Sequence, residues 1–153
     1  MKSMDIALEL IKQAEGFRAK PYYCPAGKLT QGYGRNLEAL PLDGHEQTLL
    51  NDDGSVDRDV AEDWAMEEIE HCYNQLSTLS FFTKADGVRQ AVLIDMCYNL
   101  GMTGLLKFKG MIKALESQDY GLAAAEMVDS KWYRQVGTRG VRNVAIMRTG
   151  NLV

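Results

Sequence analysis

Residues 88–100 limit what this chain can fold into more than any other segment. Ala91, Val92, Leu93, Ile94, Met96, Cys97, Tyr98 and Leu100 leave almost no polar face at helical spacing. A helix that is apolar nearly all round belongs at the centre of a bundle, with other helices packed around it. The rest of the chain supplies those partners. Residues 3–14 place Ile6, Ala7, Leu10, Ile11 and Ala14 on one stripe, with Ser3 as the expected N-cap. Residues 58–79 form the longest periodic run (Ala61, Trp64, Ala65, Ile69, Cys72, Leu76, Leu79), with acids on the opposite face and Asp57 as cap. Shorter helices are expected at 45–50, 108–116, 119–128 and 141–148, and Gly101 is expected to end the central helix.

Residues 17–36 break this pattern. Pro21, Pro25, Gly27, Gly32 and Gly34 exclude a helix, while Tyr22, Tyr23, Leu29 and Tyr33 suit short strands. Cys24-Pro25-Ala26-Gly27 fits a type I turn. A small hairpin or three-stranded sheet is therefore inserted after the first helix. At 153 residues and 46% apolar content, the chain has the size and core of one soluble domain. Three cysteines are too few for a disulfide framework, and Cys72 and Cys97 fit helix stripes as small core residues. No apolar run reaches the length of a membrane span, and Asp5 and Glu9 interrupt what a signal peptide would need. A cytoplasmic protein with no exit route of its own is the expectation.

Charge is unevenly distributed. Residues 1–35 carry net +3, residues 36–72 net −11 and residues 73–153 net +4. Solvated faces explain such blocks, and the acidic middle argues against nucleic-acid binding. The cysteines and the two histidines, His45 and His71, show no ligand spacing, so no metal or other cofactor is expected.

Chemistry concentrates in EGFRAKPYYCPAGKLTQGYG, residues 15–34. Glu15 falls where the first helix stops, a position the helix dipole makes unfavourable for a carboxylate. The hairpin after it can bring Cys24 and Thr30 together opposite Glu15. Glycosidic cleavage needs a proton donor to the leaving oxygen and a second group on the other face of the sugar.

The pattern Glu-x8-(Asp or Cys)-x5-Thr in this segment resembles the active-site segment of the phage-type lysozymes, glycoside hydrolase family 24. Val92–Gly104 (VLIDMCYNLGMTG), Ser130-Lys131-Trp132-Tyr133 and Arg148-Thr149-Gly150 resemble three further blocks of that family, in the right order. The resemblance implies an α+β, mainly α, two-lobe fold. A small β lobe (about 16–57) and a helical lobe (1–14 and 80–153) would be joined by the long helix 58–79, with a cleft between the lobes. It implies hydrolysis of the β-1,4 bond between N-acetylmuramic acid and N-acetylglucosamine in peptidoglycan, by a monomer without cofactor. Glu15 matches the general acid, Cys24 the position usually held by aspartate, and Thr30 the residue that helps hold the attacking water. Arg139 matches an arginine that pairs with the catalytic glutamate. Asn36, Tyr98, Met111 and Glu126 fall at saccharide-contact positions. Release to the wall would require a holin, from the host cytoplasm to the periplasmic peptidoglycan.

Three departures stand out. Cys24 replaces aspartate, and a thiol of ordinary pKa carries less negative charge at pH 7. Arg35-Asn36 stands where the pattern resembled has histidine and an apolar residue. The sequence stops at Val153, soon after the Arg-Thr-Gly block. Two other functions compete: a cysteine hydrolase of wall peptides using Cys24 with His45 or His71 as base, and a wall-binding module that has lost catalysis.

Overall fold

The computed structural model describes residues 2–153. It is mainly helical, with one small antiparallel sheet, the expected α+β class. The elements run α1 (Lys2–Glu15), β1 (Arg18–Tyr23), β2 (Leu29–Gly32), β3 (Arg35–Asn36), α2 (Gly44–Thr48), α3 (Arg58–Leu76), α4 (Ser80–Thr83), α5 (Gly87–Leu105), α6 (Lys109–Glu116), α7 (Tyr120–Val128), α8 (Lys131–Val136) and α9 (Thr138–Thr149). The chain divides into two compact units. One comprises Ile11–Glu68, and the other Met1–Leu10 with Ile69–Val153. The boundaries fall inside α1 and α3. No helix among the described residues is long and apolar enough to cross a membrane.

The unit Ile11–Glu68 is built on the sheet β1-β2-β3. Tyr22 pairs with Thr30, Tyr23 with Leu29, and Thr30 in turn with Asn36. An irregularity between Arg18 and Tyr22 accommodates Pro21, which has no N–H for the ladder. Ile11, Tyr33, Val56, Ala61, Trp64 and Ala65 form its core. The buried Gln31 amide donates to the carbonyls of Ala19 (2.8 Å) and Gly54 (3.0 Å), tying the sheet to the loop before α3. Asp43 caps α2 in a capping box with Glu46. Asp57, the expected cap of α3, accepts the Ala61 N–H on its carbonyl, and its carboxylate accepts from Asn51.

In the other unit α5 is the centre, and Ala91–Cys97 are buried without interruption. Phe81 and Phe82 of α4, Met111, Ala114 and Leu115 of α6, Ala123, Ala124 and Met127 of α7, and Val144, Ile146 and Met147 of α9 complete the core. Cys72 and Cys97 are buried here, as their stripes suggest. Four details differ from the sequence reading. Ser3 lies inside α1, buried, instead of capping it. Gly101 (φ 75°, ψ 163°) breaks α5 without ending it, because residues after the break re-enter helix as far as Leu105. Helix α4 is a single turn, too short to show a period, and is held by the burial of its two phenylalanines. Helix α8 starts at the Ser130 cap, whose hydroxyl accepts the Tyr133 N–H; Gly137 (φ 59°) separates it from α9, which begins at Thr138 rather than 141.

One residue of α5 contradicts the apolar reading. Asp95 is fully buried. Its carboxylate accepts from Arg139 Nε (3.0 Å) and Nη2 (2.9 Å), from Asn143 Nδ2 (2.7 Å) and from Arg142 Nη2 (3.4 Å). Arg142 also donates through Nη1 to the Leu10 carbonyl of α1 (2.8 Å). Burial and the neighbouring Arg139 pull the Arg142 guanidinium below its ordinary range, and Asp95 opposes them. A buried carboxylate is tolerated only when its lone pairs are filled in this way. Asp95→Ala removes the acceptor and leaves two guanidiniums facing each other. Stability should fall by about 3–5 kcal/mol, read as a lower denaturation midpoint at unchanged slope; a loss below about 1 kcal/mol would show that the network carries little of the fold.

Candidate active site

The hairpin loop between β1 and β2 forms the expected turn. The Gly27 N–H donates to the Cys24 carbonyl (2.8 Å), and the Cys24 N–H donates to the Lys28 carbonyl (2.9 Å). Gly27 sits at φ +79°, the left-handed residue that lets a tight turn rejoin the right-handed twist of the strands. The Cys24 side chain projects from this turn, half-exposed. The Lys28 backbone N–H is the main influence on its sulfur; burial opposes it, and the Ala26 N–H and the Thr30 hydroxyl add to the lowering. Together they hold the thiol below its ordinary pKa. Thr30 is itself buried, and its hydroxyl donates to the Lys28 carbonyl (2.8 Å). The structure therefore brings Cys24 and Thr30 together, as the spacing suggests.

Directly paired residues of antiparallel strands share a face, so Tyr22, Thr30 and Asn36 form one row across the sheet. Asn36 uses its Oδ1 to accept from the Glu38 (2.9 Å) and Ala39 (3.1 Å) N–H groups, which fixes its rotamer. Tyr22 did not figure among the sequence candidates. Strand alternation carries its signal, since it lies two residues before Cys24. Burial first, and then the Glu15 and Cys24 charges, raise its phenol; Arg18, whose guanidinium lies 4.3 Å from the ring centroid, opposes them. Tyr22 thus feels both Glu15 and Cys24.

Glu15 ends α1, as expected. Gly16 (φ +68°) turns the chain there, its N–H donating to the Lys12 carbonyl at 3.0 Å. The half-buried Glu15 side chain lies on the backbone of Gly34. A Cβ at position 34 would sit 2.5 Å from the Glu15 Cδ and 2.9 Å from its Cγ, and Gly34 has φ +75°. Glycine is required there twice over, for the turn and for the seat of the carboxylate.

Arg35 is the departure whose role is now visible. Its guanidinium grips Glu46 bidentately (2.5 and 3.0 Å), donates to the carbonyls of Leu40 (3.0 Å) and Pro41 (3.1 Å), and lies 5.1 Å from the Trp64 ring centroid. This arginine fastens α2 and the preceding loop to the sheet. The Arg35 hydrogen bonds in turn hold the Glu46 carboxyl below its ordinary range. Glu68, on the same helix as Trp64, is pushed up to about 7, chiefly by burial.

The remaining sequence candidates lie in the other unit. Arg139 holds Asp95 as described. Met111 is buried, Glu126 is half-buried, and both line a cavity of about 440 Å³ with Phe108, Lys131 and Trp132. The Glu126 carboxylate lies on Gly110, at the N-terminal end of α6. Tyr98 is half-buried on α5 and does not line this cavity. His45 and His71 are both exposed. Among the described residues no group of three or more His, Cys, Asp or Glu side chains is arranged to hold a metal ion.

The Cys24 geometry predicts a selective thiol. Alkylation of the folded protein should label Cys24 first, with Cys72 and Cys97 protected by burial. Its rate should reach half-maximum below the pH of about 8.5 typical of a free cysteine. Peptide mass spectrometry over a pH series measures this, and a midpoint at or above that of a free thiol would remove the turn N–H groups as its cause.

Comparison with known proteins agrees with this arrangement. The phage lysozyme family matches residues 12–147. Probable T4-type lysozyme 1 of Dictyostelium discoideum is 32% identical over 77 residues, 50% of this chain and 44% of that protein. The pre-baseplate central spike protein Gp5 of Enterobacteria phage T4 is 25% identical over 159 residues, 94% of this chain and 28% of the spike protein. An endolysin of Acyrthosiphon pisum secondary endosymbiont phage 1 is 31% identical over 125 residues, 82% of this chain and 75% of that protein. The chain thus spans less than half the length of the first two relatives. The match over 12–147 includes Glu15, Cys24, Thr30, Asp95 and Arg139, and the chain belongs to the phage lysozyme family.

Proposed function

We propose that this chain is an endolysin-type muramidase. It hydrolyses the β-1,4 bond between N-acetylmuramic acid and N-acetylglucosamine in peptidoglycan, and so lyses the bacterial host. The observation that carries this reading is the seat of the Glu15 carboxyl on Gly34, in the same small unit as the hairpin whose turn sets the Thr30 hydroxyl beside the Cys24 sulfur. Family membership supports it independently.

In this mechanism Glu15 protonates the leaving glycosidic oxygen. The Thr30 hydroxyl and the Cys24 sulfur hold the attacking water, and the lowered pKa of Cys24 gives it part of the negative charge that an aspartate would carry. The water's proton leaves to solvent as the new bond to the anomeric carbon forms. Arg139 is the arginine that the family pattern assigns to support of the acid, and its guanidinium is held by Asp95. Asn36, Tyr98, Met111 and Glu126 contact the saccharide. The protein works as a monomer, reaches the periplasmic wall from the host cytoplasm after a holin permeabilises the membrane, and needs no cofactor. The retention of both Glu15 and Thr30 disfavours a wall-binding module without catalysis. The solvent exposure of His45 and His71 disfavours a cysteine hydrolase.

Glu15→Gln keeps the shape of the acid but cannot donate its proton. Turbidity clearing of permeabilised Gram-negative cells should drop about two to four decades, with the fold intact. More than a tenth of wild-type activity would reject Glu15 as the acid. Gly34→Ala tests the seat of that acid. Strain at positive φ should cost about 1–2 kcal/mol, while lysis should fall at least tenfold because the carboxylate is displaced. Wild-type lysis by a folded Gly34→Ala protein would show that the seat is not needed.

A further inference from the structure

One peptide group of the hairpin serves both Cys24 and Thr30. The Lys28 carbonyl accepts the Cys24 N–H at 2.9 Å and the Thr30 hydroxyl at 2.8 Å. That carbonyl and the Leu29 N–H belong to one planar unit, so they point in opposite directions and turn together. The Leu29 N–H donates to the Glu38 carboxylate at 2.8 Å. Glu38 therefore holds this plane from the side away from Cys24 and Thr30. The carboxylate is itself aimed. Glu38 lies two residues past the end of β3, where the Asn36 Oδ1 accepts the Glu38 N–H (2.9 Å) and the Ala39 N–H (3.1 Å). The Leu37 N–H donates to the Leu29 carbonyl at 2.8 Å. These three bonds turn the chain beyond β3 and return the Glu38 side chain to the start of β2. Its ion pair with Lys28 is long, 4.0 Å between two exposed side chains, and a pair of that kind fixes little. The bond to Leu29 is shorter and directional.

We propose that Glu38 is a positioning residue for the Thr30 hydroxyl and the Cys24 sulfur, acting through the Lys28–Leu29 peptide plane. This rests on the muramidase reading, in which those two groups hold the attacking water. The carboxylate fixes the plane, and with it the direction of the Lys28 carbonyl. It also polarises the plane. A charged acceptor on the N–H draws negative charge onto the carbonyl oxygen at the other end, which tightens the bond from the Thr30 hydroxyl. A hydroxyl has one proton and two lone pairs. With that proton on the Lys28 carbonyl, the Thr30 oxygen meets the water as an acceptor, the orientation that leaves the water's own lone pair for the anomeric carbon. The Lys28 N–H, which acts on the Cys24 sulfur, belongs to the same held segment.

The test compares the full chain as wild type, Glu38→Ala and Glu38→Gln. Alanine removes the acceptor, whereas glutamine keeps a side-chain oxygen for the Leu29 N–H. One readout is the pH midpoint of Cys24 alkylation, followed by peptide mass spectrometry. The other is kcat and KM on solubilised peptidoglycan strands. In Glu38→Ala the alkylation midpoint should rise by about half to one pH unit, and kcat should fall about tenfold with less than a twofold change in KM. The sign separates positioning from charge. Removing an anion and freeing the Lys28 cation would each lower the pKa of a nearby thiol, so a rise reports the loss of aligned donors. Glu38→Gln should recover most of both losses. A strap that served stability alone would lower the denaturation midpoint of Glu38→Ala and leave its thiol and its kcat per folded molecule at wild-type values. That result, or an alkylation midpoint that falls, overturns the proposal. Failure of the muramidase reading looks different: Glu15→Gln then keeps lysis. Glu15→Gln inactive, with Glu38→Ala unchanged in both readouts, removes the role of Glu38 alone.

Discussion

The buried carboxylate of Asp95 is the constraint on which the helical unit depends. An isolated ion at the centre of an apolar helix would cost more than a small domain's whole stability. It is tolerated because Arg139, Arg142 and Asn143 all arrive from α9 with donors aimed at its two oxygens. Apolar packing alone would let α9 slide against α5, since one methyl contact resembles another. A bidentate guanidinium–carboxylate pair has one geometry. The same network reaches α1 through Arg142 and the Leu10 carbonyl, so three helices share one register-setting cluster.

The sheet unit solves a different problem with a similar device. It has few strands and a small core, and its second layer is held by Arg35. One guanidinium binds Glu46 of α2, two loop carbonyls and the face of Trp64. Arginine suits this place because its planar fork can pair with a carboxylate while its face stacks on an indole. Its pairing with Glu46 leaves Glu68 without a comparable partner, and burial does the rest.

The site itself rests on backbone more than on side chains. Gly34 gives Glu15 its seat, Gly27 shapes the turn that carries Cys24, and turn N–H groups shift the thiol toward its anion. A cysteine in place of aspartate is therefore electrostatically less different than its free pKa suggests. The hydrogen bonds that lower it come from the hairpin, and an aspartate at position 24 would meet the same donors.

Much of this was legible in the sequence. Periodicity marked α1, α3 and α5, because a helix must bury a stripe or, for α5, nearly its whole surface. Proline and glycine marked the hairpin, and the Glu15–Cys24–Thr30 pattern marked the candidate site. The short α4 and α8 were not legible, since one turn of helix has no period and its stability comes from what it packs on. Asp95 was not legible as a core residue either. Its burial is possible only because α9, 44 residues away, returns two arginines to it, and no local pattern encodes that meeting. Likewise Tyr22 and Gly34 acquire their relation to Glu15 only when strand pairing and helix packing bring them to one place. The sequence by itself determined which segments could be helix or strand and which residues carried chemistry. The tertiary structure alone decided which charges are buried, which are paired and which lie near Glu15, because those depend on distance and dielectric between residues far apart in the chain.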